Sequence, residues 1–199
     1  MKLYWWWTTN PQKVRLALEE ASIPYTLELV DLFRGKHRTD NYKSVSPTQR
    51  VPALELADGS VLWESGAALL WIGQHYPSLW PQDDTDHIQA MNLLFMESAA
   101  FQEHAGTHFF NRVVLPAIGK QGDETRIAKA AKKIKPLLDV LQNSLGDSDY
   151  LFGNITVIDL AFAPWLPVLD LSEYPTLATW RTRLMARPAW AASEFRYGS

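Results

Sequence analysis

The candidate β-strands of this chain all lie before Glu64, and no other feature constrains the fold as much. Each is a short run rich in apolar and aromatic residues, and together they cover residues 2–7, 25–30, 51–56 and 61–63. Beyond them, apolar residues recur at helical spacing almost to the end of the chain. The sequence therefore predicts an α/β unit followed by an all-helical one.

A helix is predicted between the first two strands. Val14, Leu18 and Ala21 recur at helical spacing and form its apolar stripe, while Lys13 is assigned to its polar face. Pro24 ends this helix, because the residue before a proline avoids the helical conformation.

The rest of the first unit is predicted to contain a hairpin between two helices. The Asp58-Gly59 dipeptide separates two apolar runs, which is a strong hairpin signal. A short helix is expected within residues 31–46, and an apolar helix over residues 66–76. The resulting order β-α-β-α-β-β-α makes residues 1–78 the first predicted domain.

The second predicted domain, residues 87–199, follows a linker at residues 79–86 that contains Pro81 and three aspartates. Its helices are expected at residues 88–114, 124–145, 156–169 and 175–186. Pro164 is expected to bend the third of these helices, because it cannot donate a backbone hydrogen bond.

Composition narrows the possible partners and chemistry. The net charge of −3 favours neither nucleic acid nor an anionic membrane as a partner. No segment reaches the apolar length of a membrane span, and the N-terminus lacks the layout of a signal peptide, which predicts a cytoplasmic protein. The chain has no cysteine, which excludes disulfides, thiolate metal sites and a protein-thiol nucleophile.

Four motifs, in this order, resemble those of the cytosolic glutathione transferases. They are Val51-Pro52-Ala53-Leu54, Glu64-Ser65-Gly66-Ala67 at a helix start, Thr156-Val157-Ile158-Asp159, and Trp180 followed by Arg187-Pro188. The resemblance covers essentially the whole chain. It implies the fold of that family, an α/β thioredoxin-like N-terminal domain and an all-α C-terminal helical bundle. The third motif also has the spacing of a capping box.

The Glu64-Ser65 pair suits one end of a bound glutathione. Ser65 at a helix start offers its hydroxyl and backbone N–H to the γ-glutamyl carboxylate, and the helix dipole assists. Glu64 beside it is suited to the ammonium group. The alternative is that Ser65 only caps the helix and Glu64 is a surface acid.

The resemblance further implies a cis bond between Val51 and Pro52. The backbone N–H and C=O of Val51 then pair with the cysteinyl part of glutathione as an added strand would. Candidates for the peptide backbone or the glycyl carboxylate lie in the neighbouring loops: Gln49, Arg50, His37 and Arg38. For the two earlier residues a solvated loop is an equal alternative.

The reactive end of glutathione requires a donor, because the thiolate rather than the thiol is the nucleophile. That donor is expected at the N-terminus of the first helix, where the dipole favours negative charge. Thr8-Thr9-Asn10 resembles the Thr-Pro-Asn branch of the family, with Thr9 replacing the proline. Thr8 is the principal candidate, Asn10 the second and Thr9 the rival, although either threonine alternatively caps the helix. Tyr4 is a weaker candidate.

Aromatic and histidine residues are candidates for binding the second substrate, an apolar electrophile expected between the domains. They are Trp7, Phe101, His104 and His108. For the tryptophan run a buried strand is the alternative. The two histidines have the spacing of a metal pair, but no third ligand accompanies them, so no metal is expected.

Taken together, the residues predict a glutathione transferase that conjugates glutathione, its co-substrate, to hydrophobic electrophiles. The alternatives are a non-catalytic binding protein of the same fold and a glutathione-dependent lyase, isomerase or dehalogenase. Without a protein cysteine, the remaining chemistry is attack by the glutathione thiolate or disulfide exchange carried by glutathione. The resemblance also implies a homodimer.

Overall fold

The computed structural model describes residues 1–194 and divides the chain into two compact units. The first unit comprises Met1–Trp80 together with a C-terminal segment that begins at Pro188, and the second unit is Pro81–Arg187. The division falls inside the predicted linker at residues 79–86. Among the described residues, no helix is long and apolar enough to cross a membrane.

Within Met1–Trp80 the first unit contains a four-stranded sheet and three helices in the predicted order. They are β1 (Lys2–Trp5), α1 (Thr9–Glu20), β2 (Thr26–Leu29), α2 (Asp40–Val45), β3 (Ala53–Glu55), β4 (Val61–Leu62) and α3 (Ser65–His75). Short 3₁₀ turns occupy Lys36–Arg38 and Pro77–Leu79. The strand order is β2-β1-β3-β4, with β1 parallel to β2 and antiparallel to β3.

Strand β1 lies inside this sheet and organises the core. Leu3 pairs with Leu27 of β2 on one side and with Leu54 of β3 on the other. Leu3 and Leu54 are fully buried together with Leu18 of α1 and Ile72 of α3. Strand β2 forms the sheet edge and is exposed along its length, so Leu27 keeps 40% of its surface in solvent.

The second unit is built from α-helices. They are α4 (Asp84–Met96), α5 (Gln102–Phe109), α6 (Leu115–Ala117), α7 (Glu124–Leu145), α8 (Val157–Phe162) and α9 (Pro175–Met185). Two π-helical turns, Glu97–Phe101 and Phe110–Val114, join α4, α5 and α6 into one helical run. The predicted helix over residues 88–114 lies within this run. No pattern in the sequence predicts the two π-helical turns.

Helix α7 has the predicted bounds. The Asp123 side chain accepts a hydrogen bond from the backbone N–H of Arg126 at 3.0 Å, which caps the N-terminus, and Gly146 follows the last residue with φ 54°. The third predicted helix is shorter than expected, because it gives way to a 3₁₀ segment at Ala163–Val168 where Pro164 enters.

One further helix, α10 (Pro188–Ser193), had been predicted as part of the helical domain. It belongs instead to the first unit, because it packs against α1. The prediction extends the helical domain to residue 199, and its last five positions lie outside the described residues.

The capping box at the start of α8 is present and extends into a buried network. The Asp159 carboxylate accepts hydrogen bonds from the backbone N–H groups of Thr156 and Leu151 at 2.8 and 2.9 Å, and from the Trp180 indole at 3.2 Å. The Thr156 hydroxyl also donates to it. Burial raises the pKa of Asp159 to about 6, so the carboxylate is ionised at neutral pH and accepts from every one of these donors.

Asp159→Ala is expected to destabilise the protein by about 3 kcal/mol or more, because it leaves several buried donors without an acceptor. Chemical denaturation followed by tryptophan fluorescence measures the change. Asp147→Ala, at an exposed position between α7 and α8, is the matched control. It is expected to change stability by less than about 0.5 kcal/mol. Equal unfolding midpoints for the two variants would contradict the account.

Candidate active site

The N-terminus of α1 presents the three residues predicted as thiol donors. Thr8 is the N-cap, and its backbone N–H donates to the Trp6 carbonyl at 2.7 Å. The Thr8 side chain is half-buried and makes no capping hydrogen bond. Thr9 is the first helical residue and only 4% exposed. Of the two threonines, Thr8 is therefore the one with a more accessible hydroxyl.

Asn10 in the same turn is held by Lys13, whose burial the sequence pattern does not predict. Lys13 had been assigned to the polar face of α1, but it is fully buried. Its Nζ donates to Asn10 Oδ1 at 2.6 Å. The long aliphatic stem of a lysine packs well in apolar surroundings, and here the ammonium reaches back one helical turn to the side-chain amide.

Tyr4, the weaker donor candidate, is engaged within the sheet. Its hydroxyl donates to Glu55 Oε2 at 2.8 Å and accepts from Lys2 Nζ at 3.4 Å. The bond to Glu55 joins β1 to its paired strand β3. We therefore interpret Tyr4 as a packing residue of the sheet.

The loop before β3 presents the backbone of Val51. The Val51–Pro52 peptide bond is cis, as the resemblance implies. Val51 is half-buried and lies outside the strands, and its N–H and C=O have no backbone partner within residues 1–194. Gln49 lies at φ 55° and donates its N–H to the Ser46 carbonyl at 2.9 Å, while the Arg50 side chain is exposed.

Two residues that the sequence did not single out hold this loop in place. The Tyr42 and Ser46 hydroxyls both donate to the Arg50 carbonyl, at 2.8 and 3.0 Å. Both side chains are buried. Burial raises the pKa of the Tyr42 phenol well above its ordinary value, so it remains a donor at all physiological pH values. Their connection to the loop is tertiary, and no local pattern predicts it.

Helix α3 begins with the acidic and hydroxyl residues predicted for the γ-glutamyl end. Glu64 is the N-cap, is exposed and makes no side-chain capping bond. Ser65 is the first helical residue and 6% exposed. The N-cap is thus Glu64 rather than Ser65, so the Ser65 hydroxyl is not used to cap the helix. The positive end of the α3 dipole surrounds that hydroxyl.

His37 and Arg38 lie in the 3₁₀ turn that precedes α2. Arg38 Nε donates to His37 Nε2 at 3.3 Å, so that nitrogen is an acceptor. Burial, and then the Arg38 charge, lowers the pKa of His37, and the imidazole is neutral at physiological pH. Arg38 is exposed and carries the positive charge of this pair.

The four residues predicted to bind a hydrophobic substrate have different environments. Trp7 is buried and packs against Phe33, with ring centroids 5.7 Å apart. Phe101 is fully buried in the helical unit, edge to face with Phe162 at 5.0 Å. This is the environment of a core residue, and we do not retain Phe101 as a substrate contact.

The two histidines of the same group lie on α5. His104 is half-buried and lines a shallow groove with Lys129 and Lys133 of α7. His108 is 3% exposed and borders a cavity of about 240 Å³ together with Leu138. Burial lowers the pKa of His108. Within residues 1–194 no group of three or more side chains is arranged to hold a metal ion.

Comparison with known families covers both units. The profile described as the N-terminal domain of glutathione S-transferases matches residues 7–75, and the profile of the C-terminal domain matches residues 124–192. The first match includes the α1 N-terminus, the Val51 loop and the start of α3. The second includes the capping box of α8.

Curated relatives and a solved structure agree with these matches. Glutathione S-transferase 2 of Schizosaccharomyces pombe is 29% identical over 92% of this chain and 90% of its own length. Disulfide-bond oxidoreductase YfcG of Escherichia coli is 30% identical over 94% and 91%, and transcriptional regulator URE2 of Saccharomyces cerevisiae is 30% identical over 90% and 63%. The structure of Ure2p in complex with glutathione matches with a TM-score of 0.82 and 26% identity over 96% of this chain and 92% of that one. The chain belongs to the glutathione S-transferase family.

Proposed function

We propose that this protein is a glutathione transferase that conjugates the thiolate of glutathione to hydrophobic electrophiles. The observation that carries the proposal is the N-terminus of α1, where Thr8 caps the helix through its backbone while its hydroxyl makes no capping bond. That hydroxyl, the Asn10 amide and the positive end of the helix dipole are suited to a bound thiolate.

The remaining recognition groups match the rest of glutathione. Ser65 at the start of α3 receives the γ-glutamyl carboxylate, and Glu64 receives the ammonium. The Val51 backbone pairs with the cysteinyl unit as an added strand. For the glycyl carboxylate we propose Gln49 and Arg50 beside Val51, and His37 and Arg38 in the loop before α2.

The reaction follows from the charge that these groups stabilise. The glutathione thiol loses its proton to water, and the resulting thiolate attacks an electrophilic carbon and forms the S–C bond. In a substitution the leaving group departs with its electron pair; in an addition the conjugated double bond accepts the electrons and then takes a proton from water. A hydrogen bond to the charged sulfur contributes about 1.5–3 kcal/mol, which corresponds to roughly one to two pKa units of the thiol. Of the predicted contacts for the electrophile, Trp7, His104 and His108 stay as proposals.

A second candidate function is the reduction of disulfides with glutathione thiols. The E. coli relative bears the name disulfide-bond oxidoreductase. Because this chain has no cysteine, both thiols of such an exchange come from glutathione molecules. A lowered thiol pKa serves this reaction too, so product analysis with an aromatic electrophile and with a small disulfide separates the two functions.

A third candidate is a binding protein without catalytic activity, since one relative is named a transcriptional regulator. A binding role requires the glutathione contacts at α3 and at Val51 but not a thiolate donor. Glutathione that binds to this protein with an unchanged thiol pKa would favour that role over both enzymatic ones.

Thr8→Val is expected to raise the pKa of the bound glutathione thiol by roughly one to two units, because the hydroxyl donor is replaced by a methyl group. Thiolate ultraviolet absorbance as a function of pH measures it. Thr9→Val is the matched control next to it, and it leaves the thiol pKa unchanged. The reverse pattern would assign the thiol to Thr9.

Ser65→Ala is expected to weaken glutathione binding by about tenfold or more, because a hydrogen bond to the γ-glutamyl carboxylate is lost. Isothermal titration calorimetry gives the Kd. The exposed Ser78 provides the control variant Ser78→Ala, which binds like the wild type. An equal Kd for both variants and the wild type would remove Ser65 from the site.

The proposed homodimer predicts a mass in sedimentation equilibrium of twice that of the chain at micromolar concentration. A mass of one chain at that concentration would contradict the dimer and would leave the glutathione site untouched.

A further inference from the structure

Lys13 has a position that the conjugation reaction alone does not explain. Of the lysines and arginines within residues 1–194, it is the one that is buried, with no exposed surface. Burial of a charged side chain is costly and is found where the charge has a specific task or partner. Its Nζ lies 2.6 Å from Oδ1 of Asn10, one helical turn closer to the N-terminus of α1.

The chemistry of the two groups fixes the orientation of the Asn10 amide. A lysine ammonium has three donors and no acceptor, so it bonds only the oxygen end of the amide. The two ends of the planar amide point in different directions. With Oδ1 held by Lys13, the N–H groups of Nδ2 point away from the ammonium and are available as donors at the start of the helix.

We propose that Lys13 is a positioning residue of the glutathione site, which holds Asn10 Oδ1 so that the Nδ2–H groups face the glutathione sulfur. This inference rests on the proposed function, because it assigns a role to Lys13 in stabilising the thiolate. Without the ammonium, the amide is free to turn its oxygen toward the sulfur, where an acceptor repels the thiolate.

The charge of Lys13 acts in the same direction. A thiolate bound by Asn10 is separated from the ammonium by one amide group, and the Lys13 side chain is fully buried. An opposite charge lowers the pKa of a nearby acid, and burial strengthens the effect. Orientation and charge therefore both favour the thiolate over the thiol.

The test compares two ligands on four proteins. Wild type, Lys13→Met, Lys13→Gln and Lys13→Arg are each titrated with glutathione, to obtain the pKa of the bound thiol, and with S-methylglutathione, which has no ionisable thiol. Arg15→Met is the matched control, because Arg15 is a cation on the same helix whose Nε donates to Tyr25 at 3.0 Å. Melting curves verify that each variant is folded.

Lys13→Met is expected to raise the thiol pKa by about one unit or more, while its affinity for S-methylglutathione stays within about twofold of wild type. Lys13→Arg keeps the low thiol pKa, because it retains both donor and charge. Lys13→Gln retains a donor without the charge and gives an intermediate value. Arg15→Met keeps the wild-type pKa. A folded Lys13→Met protein with the wild-type thiol pKa, or with equal losses of affinity for both ligands, would overturn the proposal.

A crystal structure of the wild-type protein with glutathione decides the question even where a variant fails to fold. The proposal requires Asn10 Nδ2 within hydrogen-bonding distance of the sulfur and Lys13 Nζ on Oδ1, and an Asn10 amide turned away from the sulfur refutes it.

The proposed function and the role of Lys13 are refuted by different results. A wild-type protein that leaves the thiol pKa at its free value refutes the proposed function as well, whereas a low pKa shared by wild type and Lys13→Met refutes the role of Lys13 alone.

Discussion

The pairing of β1 on both of its edges is the constraint on which the candidate site depends. Because β1 bonds β2 on one side and β3 on the other, its position in the sheet is fixed. The backbone N–H of Val30 donates to the Trp5 carbonyl at 2.9 Å, and that of Thr8 to the Trp6 carbonyl at 2.7 Å. These bonds direct the chain from the end of β1 straight into α1, so the first helical turn is held at the end of the sheet.

The same sheet positions the other proposed glutathione contacts. Val51 immediately precedes β3, the antiparallel neighbour of β1, and Ser65 follows β4 at the start of α3. Two helix N-termini and one open stretch of backbone are thus supplied by elements of one unit. Each offers N–H donors or a positive dipole end, and glutathione carries negative charge at its γ-glutamyl carboxylate and, when reactive, at its sulfur.

Much of this could be predicted from the sequence, because local signals and tertiary structure agree. Asp123 and Gly146 mark the ends of α7 with a side-chain cap and a positive φ, and the structure has the same bounds. The capping box at Thr156 depends on residues three apart, so its chemistry is visible in the sequence. The order of strands and helices in the first unit follows from periodicity and turn residues in the same way.

Other features could not be predicted, because they depend on partners distant in sequence or on an exception to polarity rules. Lys13 counts as polar in any periodicity, yet it is fully buried and its ammonium donates to Asn10. Tyr42 and Ser46 support the Val51 loop through the Arg50 carbonyl, a contact without a motif. Phe101 is an aromatic residue of the kind expected in a substrate pocket, but it packs in the core against Phe162.

The central claim is that the N-terminus of α1 stabilises a glutathione thiolate, and the most direct measurement is a pH titration of the glutathione thiolate absorbance on the wild-type protein. The account predicts saturable binding with the thiol pKa lowered by about one unit or more. Saturable binding with the thiol pKa of free glutathione would contradict it.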